Sequence, residues 1–268
     1  MFWEKGIETI EKDQLEKLQL ERLRKTVERA SRSSYYGKIF KEKRFFAEDI
    51  RTLSDLVKIP LTTKDDLREQ WPYGFLAASK DELVRMHSSS GTTGRATVIF
   101  HTQSDIDRWT DQLARCMYMA GMRKSDVFQN MMTYALFTGG LGFHYGAEKL
   151  GAMVIPAGPG NSKRQIRLMQ DFDTTVIHII PSYALHLITV FEEVGVDPKK
   201  DTRLRMAFIC AEPHSEKMRG RIEAFYGVKV FNSYGLSEMN GPGVAFECPC
   251  QNGMHICEDA YIVEMINP

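Results

Sequence analysis

The sequence predicts an α/β fold, a mainly parallel and helix-covered sheet joined to a helical N-terminal segment. Two observations carry this expectation. From residue 84 onward, short apolar runs alternate with amphipathic stretches of helical period, the pattern of parallel strands joined by helical crossovers. Before residue 84 the chain opens on a stretch rich in Leu, Glu, Lys and Arg. A helical segment over residues 1–83, packed on an α/β core over residues 84–268, follows.

Residues 7–32 read as a long amphipathic helix, with Ile7, Ile10, Leu18 and Val27 compatible with one apolar stripe. No clean heptad persists, which disfavours a coiled coil. Next, Thr62 with Asp65 and Thr63 with Asp66 form overlapping capping boxes that mark a helix start. Strands are expected around 84–87 and at 97–101, 127–131, 152–155, 175–179, 205–210 and 229–232. Of the helices between them, residues 104–120 place Ile106, Trp109, Leu113, Met117 and Ala120 on one face, and Gly121 stops the helix.

With 268 residues, 43% hydrophobic and 26% charged, the chain can bury a substantial core, which excludes disordered, collagen-like and disulfide-scaffold classes. The 35 Lys plus Arg balance the 35 Asp plus Glu, so no net field draws the chain to nucleic acid or an anionic membrane. The uncharged stretches 127–147 and 174–191 are interrupted, the first by Gly139, Gly140, Gly142 and Gly146, the second by His178, Pro181 and His186, so neither is a uniform apolar span. The N-terminus lacks an apolar signal region, and five cysteines, an odd number, read as reduced thiols. A cytoplasmic protein is expected, with neither nucleic acid nor membrane as a partner.

The most specific local feature is Ser88-Ser89-Ser90-Gly91-Thr92-Thr93-Gly94-Arg95, between two expected strands. Its glycines let backbone approach an anion, its hydroxyls donate hydrogen bonds, and Arg95 adds positive charge: the parts of a phosphate clamp. Only two residues separate Gly91 from Gly94, which disfavours a Walker loop. An ordinary polar hairpin loop would share much of this composition.

Ser89-Ser90-Gly91-Thr92-Thr93-Gly94 resembles the phosphate-binding signature of the acyl-adenylate-forming superfamily, and Tyr234-Gly235-Leu236-Ser237-Glu238 resembles its later Tyr-Gly-x-Ser/Thr-Glu motif. Between them, residues 134–148, from Tyr134 to Glu148, and Cys210-Ala211-Glu212-Pro213 are similar to one branch, the phenylacetate–coenzyme A ligases. The resemblance implies the fold of the large N-terminal domain of those enzymes and a two-step reaction. A carboxylate attacks the α-phosphate of ATP to give an acyl-adenylate, and coenzyme A then displaces AMP. It further implies that Ser89 to Arg95 hold the polyphosphate and that Ala211, Glu212 and Pro213 form the adenine-contacting turn, with Asn232, Ser233, Tyr234 and Gly235 beside it. Ser237 and Glu238 take the catalytic places, Ser237 donating to the α-phosphate and Glu238 binding Mg²⁺, a hard ion suited to carboxylate oxygen. Singly, Glu212 reads equally as a charge at the start of the helix at 215–226, Glu238 as a surface cap and Tyr234 as a core aromatic.

For the acid, Tyr134, Phe137, Phe143, His144 and Tyr145 surround the turn at Gly139 and Gly140, an aromatic wall with a polar edge that suits an aryl-acetic acid, with Phe137 the preferred pocket residue. Phe143 and Tyr145 read rather as core, and His178 and His186 as satisfied core histidines. Met131 and Met132 also read as core, or at most as adaptable lining of the acid pocket. Cys248, Cys250, His255 and Cys257 bring four soft or borderline ligands within ten residues, which predicts a structural Zn²⁺ site, against reduced thiols or a redox pair. The family continues past residue 268 to a ribose-binding aspartate and a small lysine-bearing lid domain. The 268 residues are therefore expected to be an incomplete AMP-binding core, nearly inactive alone, with a separate lid polypeptide or a homodimer as partners. A nucleotide-binding remnant without turnover and an adenylyltransferase are the alternatives.

Overall fold

The computed structural model describes residues 2–89 and 96–265. The chain divides into two compact units, Glu4–Ile106 with Cys257–Pro268, and Met1–Trp3 with Asp107–Ile256.

The first unit is mainly helical. It contains α1 (Lys5–Glu8), α2 (Lys12–Ala30), α3 (Ser34–Lys43) and α4 (Lys64–Glu69), followed by β1 (Leu83–Ser88) and β2 (Val98–Thr102). The helix expected at 7–32 is thus broken once, before Lys12. Of the two capping boxes, Thr63 with Asp66 starts α4: the Thr63 backbone N–H and hydroxyl both donate to Asp66, at 2.7 Å each. Val27, Phe40, Phe45 and Ile50 form the core of this unit, with Leu20, Leu23 and Ile39 against it. Arg22 donates to the Asp259 carboxylate at 3.0 Å and Gln19 to the Glu258 carbonyl at 2.8 Å, so the tail after Cys257 runs along α2.

β1 and β2 pair antiparallel as a separate hairpin, so the strand expected at 97–101 is not part of the main sheet. From β2 the chain enters α5 (Gln103–Ala120), and Gly121, at φ 111°, ends that helix. The second unit then runs β3 (Val127–Asn130), α6 (Thr138–Leu150), β4 (Met153–Ile155), α7 (Ser162–Asp171), β5 (Val176–Ile179), α8 (Pro181–Val194), α9 (Pro198–Asp201), β6 (Met206–Ile209), α10 (Glu216–Tyr226), β7 (Lys229–Leu236), β8 (Gly241–Glu247) and β9 (Met254–Ile256).

Its sheet has the order β4-β3-β5-β6-β7-β8-β9, with β3 to β7 mutually parallel and β8 and β9 added antiparallel at one edge. Side chains alternate faces along each strand. Ile177, Ile179, Ala207, Ile209 and Val230 meet Ile166 and Met169 of α7, Leu187 and Phe191 of α8, and Ile222 and Tyr226 of α10. On the opposite face, the Phe143 ring of α6 stacks on His178 with centroids 3.7 Å apart and lies 5.7 Å from Phe208.

Two ion pairs brace the sheet. Arg219 on α10 holds Glu247 at the end of β8 through two hydrogen bonds of 2.8 Å, and both side chains are buried. At the N-terminal edge of the strands, buried Asp126 accepts from Arg205 and from Thr175. Among the described residues, no helix is long and apolar enough to cross a membrane.

Candidate active site

The C-terminal ends of β3, β5, β6 and β7 lie side by side, and three of the segments singled out from sequence leave the sheet there. The Tyr134–Gly140 segment follows β3, Ala211 to Pro213 follow β6, and Tyr234 to Glu238 run off the end of β7 into a 3₁₀ turn at Ser237–Met239.

The turn after β6 carries an unusual backbone. Ala211 has φ 69°, a left-handed conformation that costs an L-residue about 1 kcal/mol. Glu212 is held from 30 residues away: its carboxylate accepts the Ser182 backbone N–H at 3.0 Å and the Ser182 hydroxyl at 2.8 Å. Ser182 lies in the first turn of α8, where backbone N–H groups lack intrahelical partners and the helix dipole favours an anion. Glu212 is therefore a helix N-terminal charge for α8; α10 is capped by Ser215 instead.

Tyr234 is 53% exposed, a ring presented to solvent rather than a core aromatic. Ser233 and Ser237 are buried, whereas Glu238 is half-buried. The Asn232 backbone N–H donates to Glu247 at 2.7 Å, fixing β7 against β8. Gly235 permits a close strand crossing, since a Cβ there would stand 2.1 Å from the Gly241 carbonyl oxygen.

In the segment after β3, Tyr134 and Phe137 are half-buried. The lack of a side chain at Gly139 and Gly140 serves the chain itself. A Cβ on Gly140 would stand 2.1 Å from the Thr133 carbonyl oxygen, and one on Gly139 would strike the Phe137 ring at 2.7 Å. The Tyr134 hydroxyl lies 3.1 Å from His144 Nδ1, and His144 Nε2 lies 3.0 Å from Glu148. Burial pushes the Tyr134 phenol up to about 12, so it stays a donor.

Among the two histidines expected in the core, His178 is fully buried but His186 is exposed, its ring centroid 6.0 Å from that of Tyr183. Apolar neighbours in sequence surround both; His178 lies on the central strand β5, whereas His186 lies on an exposed face of α8. Asn130 and Ser182 also shape this edge. No local sequence motif marks either, because His178, which Asn130 meets, and Glu212, which Ser182 meets, lie 48 and 30 residues away.

Ser89 is half-buried after β1; Ser90, Gly91, Thr92, Thr93, Gly94 and Arg95 lie outside the described residues. The zinc expectation is not met: among the described residues, no three His, Cys, Asp or Glu side chains gather closely enough to hold a metal ion. The neighbouring Cys248 thiol pushes the exposed Cys250 thiol up, and His255, on β9, is exposed.

Turns gathered at the carboxyl edge of a parallel sheet define a ligand-binding α/β protein. The chain belongs to the AMP-binding enzyme family, whose model matches residues 18–260. It is 43% identical over 264 residues to phenylacetate-coenzyme A ligase of Aromatoleum evansii and 44% identical over 264 residues to that of Pseudomonas putida; each match covers 98% of this chain and 60% of the relative. The chain thus spans about three fifths of the length of these curated relatives. A solved 2-hydroxyisobutyryl-CoA ligase, in an open conformation with 2-HIB-AMP and CoA, matches with a TM-score of 0.89 at 26% identity, over 96% of this chain and 58% of that one.

Proposed function

We propose that this chain supplies the nucleotide- and acid-binding part of an ATP-dependent acid–thiol ligase. It activates an aryl-acetic acid, phenylacetate foremost, to an acyl-adenylate and then to a coenzyme A thioester. The observation that carries this reading is the convergence, at one sheet edge, of an aromatic segment at Tyr134 and Phe137, a left-handed turn at Ala211 and an exposed Tyr234 ring. A flat base suits the exposed ring and strained turn, and an aryl group suits the aromatic segment.

In this reading Ala211, Glu212 and Pro213 hold adenine, with Asn232, Ser233, Tyr234 and Gly235 beside it. Ser237 donates to the α-phosphate, and Ser89 to Arg95 hold the polyphosphate. Glu238 would hold Mg²⁺, which neutralises charge developing on the phosphates. Phe137 and Tyr134 orient the acid so that its carboxylate approaches phosphorus in line, and orientation of this kind supplies several kcal/mol of catalysis. No side-chain nucleophile is required, because the substrate carboxylate is itself the nucleophile. A cytoplasmic location accords with substrates of this kind.

The test is hydroxylamine trapping. With ATP, Mg²⁺ and phenylacetate, these 268 residues are expected to release pyrophosphate and form phenylacetohydroxamate only slowly, while calorimetry should register AMP binding. AMP binding without hydroxamate would leave a nucleotide-binding protein without turnover. Transfer of AMP to an acceptor other than the acid would make the protein an adenylyltransferase. Absence of AMP binding would overturn the site assignment.

A further inference from the structure

Behind the segments proposed to contact substrates, a chain of buried polar side chains crosses the same sheet edge. His178 on β5 lies 3.0 Å from Asn130 Oδ1 on β3 through Nδ1, and 3.2 Å from Cys210 Sγ, just after β6, through Nε2. Asn130 Nδ2 donates to the Gly140 carbonyl at 2.7 Å, at the far end of the segment that opens on Tyr134. On the same segment the Tyr134 hydroxyl meets His144, which in turn meets Glu148.

The proton positions follow from the partners. Asn130 Oδ1 already accepts the Met132 backbone N–H at 3.2 Å while Asn130 Nδ2 donates, so the amide orientation is set and His178 Nδ1 carries the proton. His178 Nε2 must then accept, and Cys210 must donate its S–H. Burial enforces both states, lowering His178 to about 3 and raising the Cys210 thiol to about 12. A cysteine beside a histidine suggests a nucleophile pair, but this one is a neutral thiol on a neutral imidazole, without the thiolate that nucleophilic attack needs.

The donors therefore point the same way, from Cys210 through His178 and Asn130 to the Gly140 carbonyl, an arrangement in which each bond polarises the next. The chain begins one residue before the left-handed Ala211 and ends on the Tyr134 segment. The Phe143 ring, stacked on His178, holds the imidazole in place.

We propose that His178 is a positioning residue that links the two halves of the site: through Cys210 and Asn130 it ties the Ala211 turn to the Tyr134 segment, so that adenosine and an aryl acid each bind more tightly when the other is present. This rests on the proposed function above. Linkage makes the effect reciprocal, and a contiguous hydrogen-bonded network is a physical route for it.

The experiment is calorimetry on the full chain with adenosine, which lacks the phosphate that would repel the acid's carboxylate, in the absence and presence of saturating phenylacetate. Phenylacetate is expected to tighten adenosine about fivefold or more in the wild-type chain. Cys210→Ala, which deletes the S–H bond to His178, should bring that ratio close to one while changing the Kd for adenosine alone by less than about threefold. Cys210→Ser, which restores a donor, should recover most of the ratio, a rescue that a merely structural role would not produce. His178→Phe keeps the ring stacked on Phe143 but removes both hydrogen bonds of the imidazole, so it cuts the chain at its centre and should lower the same ratio, which keeps the test decisive if Cys210→Ala fails to fold. A ratio left intact by these cuts overturns the link. A wild-type ratio of one overturns the link and leaves the proposed function standing. A wild-type chain that binds neither ligand overturns the proposed function, and the link with it.

Discussion

Glu212 carries two demands at the scale of a single residue. Its carboxylate satisfies the Ser182 N–H and hydroxyl at the start of α8, and its backbone forms part of the strained turn that begins at Ala211. Losing a capping carboxylate leaves an orphan N–H at a helix N-terminus, which costs about 0.5–2 kcal/mol. Glu212→Ala is therefore expected to lower the melting temperature by a few degrees, while Glu212→Gln, which keeps an acceptor, loses less. Thermal melts of the two variants check this, and equal melting of wild type and Glu212→Ala would remove the cap. The pairing spans 30 residues, so nothing near Glu212 in the sequence announces it. The motif around it was nonetheless legible, because Ala211, Glu212 and Pro213 are contiguous.

Close contact between elements explains the glycines of α6. A Cβ on Gly142 would stand 2.3 Å from the Trp109 ring, and one on Gly146 would stand 2.7 Å from Leu113 Cβ, so these two positions, one helical turn apart, let α6 lie directly on α5. Gly220, inside α10, faces open space at ordinary φ. Gly142→Ala or Gly146→Ala should destabilise by about 1–3 kcal/mol through overpacking, whereas Gly220→Ala should stabilise by about 0.5–1 kcal/mol by removing backbone freedom. Denaturant unfolding of the three variants separates the readings: a destabilised Gly220→Ala, or a neutral Gly142→Ala, contradicts the packing argument. A glycine-rich run in sequence suggests room for a ligand. Here it makes room for Trp109, Leu113 and the chain's own loop at Thr133.

For the whole molecule, acid stability follows from histidines that fold neutral. His178 is lowered to about 3 and His101 to about 4, each mainly by burial. Both folded values lie below the unfolded value near 6.5, so the unfolded chain takes up protons first as pH falls. Their contribution is fully present above about pH 6.5 and is lost as pH drops toward 4 and below. Each fully uncompensated proton gives a slope of about 1.4 kcal/mol per pH unit. Asp126 adds a second component at lower pH. Burial works to raise it, but Arg205, the Arg123 N–H and Thr175 together hold it below the usual carboxylate range, so its contribution is present above about 3.8 and lost beneath that. Urea midpoints between pH 7 and 4 should fall with acid, and His178→Gln should show a shallower fall than wild type; identical slopes would place the titration elsewhere.

Local periodicity determined much of this protein. Apolar runs at 127–131, 175–179 and 205–210 became β3, β5 and β6 to within a residue or two, and the stripe from Ile106 to Ala120 became α5, because strand and helix periods are properties of neighbouring residues. Motif order likewise announced the family, since Tyr234 to Glu238 and Cys210 to Pro213 are contiguous. Only the tertiary structure decided the rest. Gly241, Pro242 and Gly243 read locally as strand breakers, yet β8 is buried along its length, where Trp109 donates to the Pro242 carbonyl at 2.9 Å and the glycines leave room for Trp109 and Leu113. Cysteine density suggested zinc, but among the described residues no three potential ligands gather as a metal-holding group. His178 and His186 share an apolar setting in sequence, but one faces Asn130 and Cys210, 48 and 32 residues away, and the other faces solvent. The reason is common to all three: backbone propensity is set by near neighbours, whereas the partner of a buried polar group is set by strand order, which brings distant residues to one edge.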